Sequence, residues 1–114
     1  MAIQVLRADL CIPIVLTGNV TVNTEAVHQN CYGIYMKGGV SGDTVPFLIK
    51  GRVSGVAKKD GTGLTWTAGQ KLYWDDTTEK EFKTTATGAS TLSNSPIAGA
   101  AAAATATTGT VELL

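Results

Sequence analysis

The chain has 114 residues, with nine Lys and Arg set against nine Asp and Glu. Only 16% of positions are charged, against roughly 25% in ordinary soluble domains, while Thr, Ala and Gly fill 44 of the 114. This balance excludes a disordered tail and a second domain, and the absence of excess positive charge argues against nucleic acid as a partner.

From the N-terminus, Arg7 and Asp9 precede the apolar run 10–16 without the basic cluster of a secretory signal. The longest other apolar stretch, 96–104, is mostly alanine and far short of the roughly 20 residues that cross a bilayer. A soluble protein made in the cytoplasm, with no membrane partner, is the expectation. Residues 1–30 read as an N-terminal arm and first strands, and 31–114 as the β core of one domain. Apolar or β-branched runs separated by glycine roughly every eight to twelve residues predict an all-β fold, a sandwich or a small barrel with glycine-marked hairpins. Strands are expected at 11–16, 20–23, 31–37, 44–57, 71–74, 82–84, 97–103 and 110–114. Cys11 and Cys31, the only cysteines, cannot form a dense disulfide framework and are expected to be free, buried thiols.

The run at 44–57 is the clearest. Val45, Phe47, Ile49, Gly51 and Val53 alternate with Pro46, Leu48, Lys50, Arg52 and Ser54, which predicts one apolar face and one charged face. Gly51 and Gly55 inside the run predict a bulge or a sharp bend, and Pro46 predicts a start at a sheet edge. The polar, nearly uncharged segment 84–95 reads as a surface loop. In 100–104 the alanines are too few to sustain a helix, and small side chains favour a tightly packed strand.

Chemistry-bearing residues are sparse. His28, the only histidine, has Glu25 and Cys31 three residues to either side, too few groups for a zinc site, and it reads as an exposed loop histidine. Asp75, Asp76 and Glu79 lack the order of a calcium loop, so Asp75 and Asp76 read as a hairpin turn. No phosphate loop or dinucleotide fingerprint occurs, and no catalytic, metal or cofactor residues are assigned. Trp66, Tyr73 and Trp74, beside Lys58, Lys59 and Lys71, could stack single-stranded bases on a small barrel, or could simply be core or interface aromatics. Tyr73 and Trp74 are neighbours, so in a strand one faces the core and the other the surface.

The stretch 66–75, with Phe82-Lys-Thr-Thr85, Pro96-Ile-Ala-Gly-Ala-Ala101 and Gly109-Thr-Val-Glu-Leu113, resembles a family of small phage and prophage capsid decoration proteins, also called head-stabilising or cement proteins. Gly33-Ile-Tyr35, Gly42-Asp-Thr-Val-Pro46 and Lys50-Gly-Arg-Val53 fit the same pattern, so the resemblance covers roughly 31–114. Some relatives carry a label as recombinases of the RecA type, which this chain, lacking a phosphate loop, does not support. The resemblance implies a small β-barrel or β-tulip, a homotrimer at threefold positions of a phage head, the major capsid protein as partner, and no enzymatic activity. Ala2, Ile3, Gln4, Val5 and Leu6 form an alternating segment, read either as an arm that adds a strand to the capsid protein or as an edge strand of the domain. The alternatives are another virion role, such as a head fibre base or tail accessory, and an oligonucleotide-binding barrel.

Overall fold

A computed structural model describes residues 3–77, 79–86, 89, 92–93 and 97–114. Eight strands run in order: β1 (Gln4–Val15), β2 (Glu25–His28), β3 (Cys31–Tyr35), β4 (Thr44–Ala57), β5 (Gln70–Asp75), β6 (Glu81–Lys83), β7 (Ile97–Gly99) and β8 (Thr108–Leu113). No helix occurs among the described residues. The all-β expectation holds, and the sheet curls into a half-barrel.

The spine is β4. Antiparallel β1 lines one of its sides, from Val15 opposite Thr44 to Gln4 opposite Ser54. The other side takes β3 at Phe47 and Leu48, then β8 from Gly51 to Ala57. From β8 the sheet continues through β7 and β5 to β6. It curls back there, because Phe82 of β6 bridges Lys58 just past the end of β4 and its carbonyl accepts from the Lys59 N–H at 3.0 Å.

Two glycines let β4 serve both partners. A Cβ on Gly51, at φ +151°, would stand 2.1 Å from the Arg7 carbonyl oxygen, so only glycine admits this approach of β1. Gly55, at φ +75°, lies where three residues of β4 span two of β8. At Gly55 the expected bend is a bulge, whereas Gly51 stays in register opposite Ala8 and Leu113 and serves the close approach of β1. Pro46 is not at an edge, contrary to expectation. It faces Pro13 of β1, a pair that exchanges no N–H bonds, and its carbonyl accepts from Met36 N at 2.9 Å on the other side.

Two apolar clusters follow from the alternation along β4. The larger, inside the curl, holds Tyr32, Ile34, Leu48, Val53, Val56, Trp66, Leu72, Trp74, Phe82, Ile97 and Val111 among others. The smaller holds Ile14, Leu16, Tyr35, Val45 and Phe47. Leu48 was expected on the charged face but is fully buried, because at this point β4 is covered on both faces: Phe47 enters one cluster and Leu48 the other.

Other boundaries moved for identifiable reasons. The strand expected at 20–23 is a single bridge, Val20 to Gly39. The strand at 25–28 was not expected; Gln29 and Asn30, both at positive φ, turn it tightly into β3. The first strand starts at Gln4 rather than 11. At 97–103 the strand stops after Gly99, and the alanines continue as a strap in which Ala102 and Trp66 exchange backbone bonds of 2.9 and 3.0 Å. Gly99, where the strap begins, has no room for a side chain, since a Cβ there would meet Leu72 Cδ1 at 2.7 Å and the Trp66 ring at 3.0 Å. Of the loop expected at 84–95, residues 87, 88, 90, 91, 94 and 95 lie outside the described residues, and Leu92 is buried in the larger cluster.

Candidate docking surface

The titratable residues singled out by sequence are structural. His28 is half-buried rather than exposed: its Nε2 hydrogen-bonds the Tyr35 hydroxyl, and its ring stands edge-on to Phe47 at 5.0 Å. Burial lowers its pKa, so it rests neutral. The Tyr32 hydroxyl donates to Glu25 Oε2 at 2.6 Å, and burial pushes both groups upward. Cys31 faces His28 across the β2–β3 pair and is half-buried, while Cys11 is exposed, so neither thiol is buried as expected. Cys11 lies in the run 6–11 of β1, every residue of which is exposed.

Asp75 and Asp76 do open a hairpin turn. The Asp75 carboxylate accepts from Thr77 N at 3.0 Å and Thr77 Oγ1 at 3.1 Å, and pairs with Lys83 Nζ at 3.4 Å. Among the described residues no group of three or more His, Cys, Asp or Glu could hold a metal ion, and no helix is long and apolar enough to cross a membrane. A shallow cleft of about 330 Å³ between Glu25, Ala26, Val27, Trp74, Asp76 and Lys80 gathers no further chemistry.

Base stacking on the tryptophans is overturned. Trp66 and Trp74 are 1% and 2% exposed, packed edge-on against Phe82, and cannot present a face to a base. Trp74 is the core partner and Tyr73 the half-exposed one, as alternation requires. Lys58 is buried too: its Nζ donates to the carbonyls of Lys59 and Ala106 and lies 5.6 Å from the Trp66 ring centre.

What the molecule offers is surface. Among the described residues β1 pairs only with β4, so the outer edge of a twelve-residue strand stays open. Leu6 and Leu10 are 50% and 44% exposed, and every residue from 6 to 11 is exposed. Ala2 lies outside the described residues. Ile3 packs against the larger cluster, Gln4 and Val5 pair with Ser54 and Val53, and Leu6 bulges between Val5 and Arg7. Arg7 anchors this stretch, reaching Asp9 at 2.9 Å and Glu112 at 2.6 Å, while Arg52 holds the same Glu112 at 3.0 Å.

At its far end β1 enters a charge-poor tip. Residues 10–24 carry no charge, and 36–49 carry only Lys37 and Asp43, of the chain's eighteen charged residues. The Asp43 carboxylate, itself exposed, accepts from Val40 N at 2.9 Å. The loops are tied by Leu16 N to Asp43 O, Gly42 N to Leu16 O and the Val20–Gly39 bridge. They leave Val15, Val22 and Val40 exposed at 64%, 47% and 56%. Sequence reasoning missed this tip because its valines sit singly between turn residues; the absent charge over 10–24 was the available signal. Depletion of charge marks the centre of protein interfaces.

A family model described as phage cement protein matches residues 7–113, and the chain belongs to that family. No curated protein and no solved structure matches it.

Proposed function

We propose, on the premise of that membership, that the chain binds the outer surface of an expanded phage head and holds it against disruption. The family supports a capsid-stabilising role on the virion. The observation that carries the finer reading is the charge-poor tip, where Val15, Val22 and Val40 stand exposed around Lys37 and Asp43 alone. A subunit that binds the expanded shell and the immature shell unequally shifts the equilibrium by its differential affinity. About 1.4 kcal/mol per site is tenfold in that equilibrium, and many sites multiply it. The work is done by complementarity, with no bond made or broken.

The proposal includes synthesis in the host cytoplasm, a homotrimer around threefold positions, and the major capsid protein as partner. Light scattering of the purified chain tests the trimer. The segment Ala2 to Leu6 is kept as a second capsid contact. It starts β1 while the tip ends it, and twelve extended residues span about 40 Å, so a copy using both contacts lies along the shell. Val22→Asp and Val40→Asp place a charge on the tip without entering either apolar cluster. Each is expected to lower occupancy on expanded heads at least about tenfold, as a charge in an apolar contact does; unchanged occupancy moves the shell contact elsewhere.

A further inference from the structure

The exposed middle of β1 reads Leu6-Arg7-Ala8-Asp9-Leu10, which has the same pattern of apolar and charged residues in both directions with the charges exchanged. When two such strands run antiparallel about a twofold axis at Ala8, Leu6 faces Leu10 of the other copy, Arg7 faces its Asp9, and Ala8 faces Ala8. Each apolar side chain then meets an apolar one and each charge its opposite, the arrangement that stabilises cross-strand pairs. We propose that the β1 edges of two copies of this chain pair in this register, joining their sheets.

Three observations support a second copy as the occupant. The outer edge of β1 is unpaired among the described residues, and all five residues are exposed. The strand carries no Lys, and no Pro before Pro13, so two common devices for blunting an edge are missing there. The charges are already balanced within one copy, because Arg7, Arg52, Asp9 and Glu112 form one neutral network. A twofold partner adds a second neutral network beside it, so no uncompensated charge is brought up. The Arg7–Asp9 bond puts those two side chains on one face, and Leu6 and Leu10 are 50% and 44% exposed.

Bulges at Leu6 and Asp9 lie within this stretch and twist it. The contact is therefore short and weak in isolation, suited to copies already held side by side. It does not rest on the capsid reading, and it concerns a different surface from the tip. Together with a threefold contact, a twofold contact would knit copies into a continuous net.

Cross-linking of the full-length chain tests the register. In a Cys11→Ser background, Ala8→Cys places one thiol per copy on the axis. Facing residues of antiparallel strands have Cα atoms about 4.5–5.5 Å apart, within the about 4.4–6.8 Å that a disulfide spans. Mild oxidation is expected to give a covalent dimer on a denaturing gel whatever the native mass. Thr67→Cys, exposed before β5 and separated from β4 by β8 and β7, is expected to give about tenfold less. Adding Leu6→Lys with Leu10→Lys sets like charges opposite each other and suppresses the dimer. Adding Leu6→Lys with Leu10→Glu sets opposite charges there and retains it, with circular dichroism confirming that both variants fold. Equal cross-linking at positions 8 and 67, or an equal response to the two double substitutions, overturns the pairing. If the two double substitutions respond alike and both lose binding to expanded heads, the edge belongs to the shell.

Discussion

Arg7 and Glu112, 105 residues apart, meet at 2.6 Å across the strand that separates them. Arg7 belongs to β1 and Glu112 to β8, and the contact passes over β4, where Arg52 takes the other oxygen of the same carboxylate. The first and last strands are thereby clasped to the spine from outside, on a face that the apolar clusters do not reach.

Glu112→Gln removes the acid and leaves two guanidinium groups together. The pair is partly exposed, so the expected loss is below about 1 kcal/mol and shrinks further with salt. Arg7, then Arg52, holds the Glu112 carboxyl below the ordinary value of 4.5. A lowered folded value means that the contribution is complete above pH 4.5 and is lost as pH falls through the folded value. Denaturant melts of wild type and variant from pH 7 downward should converge in acid; a gap that widens there contradicts this assignment.

Gly51→Ala should be among the most damaging single changes. The new methyl group would lie 2.1 Å from the Arg7 carbonyl oxygen, backbone that cannot rotate aside, at φ +151°. A loss of about 3 kcal/mol is expected. Gly18→Ala, with nothing within 4 Å, is the matched control and should change stability by no more than about 0.5 kcal/mol. Chemical denaturation of the two variants gives the comparison.

Titration with single-stranded oligonucleotide at low salt should leave tryptophan fluorescence unchanged. Trp66 and Trp74 are enclosed by Phe82 and Tyr32, and Lys58, one of the lysines near them in sequence, is buried on backbone carbonyls. Saturable quenching would reopen the stacking reading.

Much of the architecture was legible where one strand declares its own pattern. In β4 the alternation of Val45, Phe47 and Val53 and the glycines at 51 and 55 pointed to a bent, half-buried strand. The pattern failed at Leu48, because burial on both faces depends on what lies across the sheet. It failed again at β2, whose Glu25 and His28 look like loop residues until Tyr32 and Tyr35 supply their hydrogen-bond partners from the next strand. The docking surface was only partly visible. Ala2 to Leu6 touched the beginning of the exposed flank, but an open edge is a property of the whole sheet, and Val22 and Val40 are ordinary turn neighbours until two loops bring them to one tip.

The most direct test of the account is to add the purified chain to expanded phage capsids that lack their cement protein, and to measure bound copies together with the temperature at which the heads break. The account predicts saturable, stoichiometric binding to expanded heads, little to immature shells, and a higher breaking temperature for the coated heads. Saturation without a rise in breaking temperature, or equal binding to both shells, contradicts it.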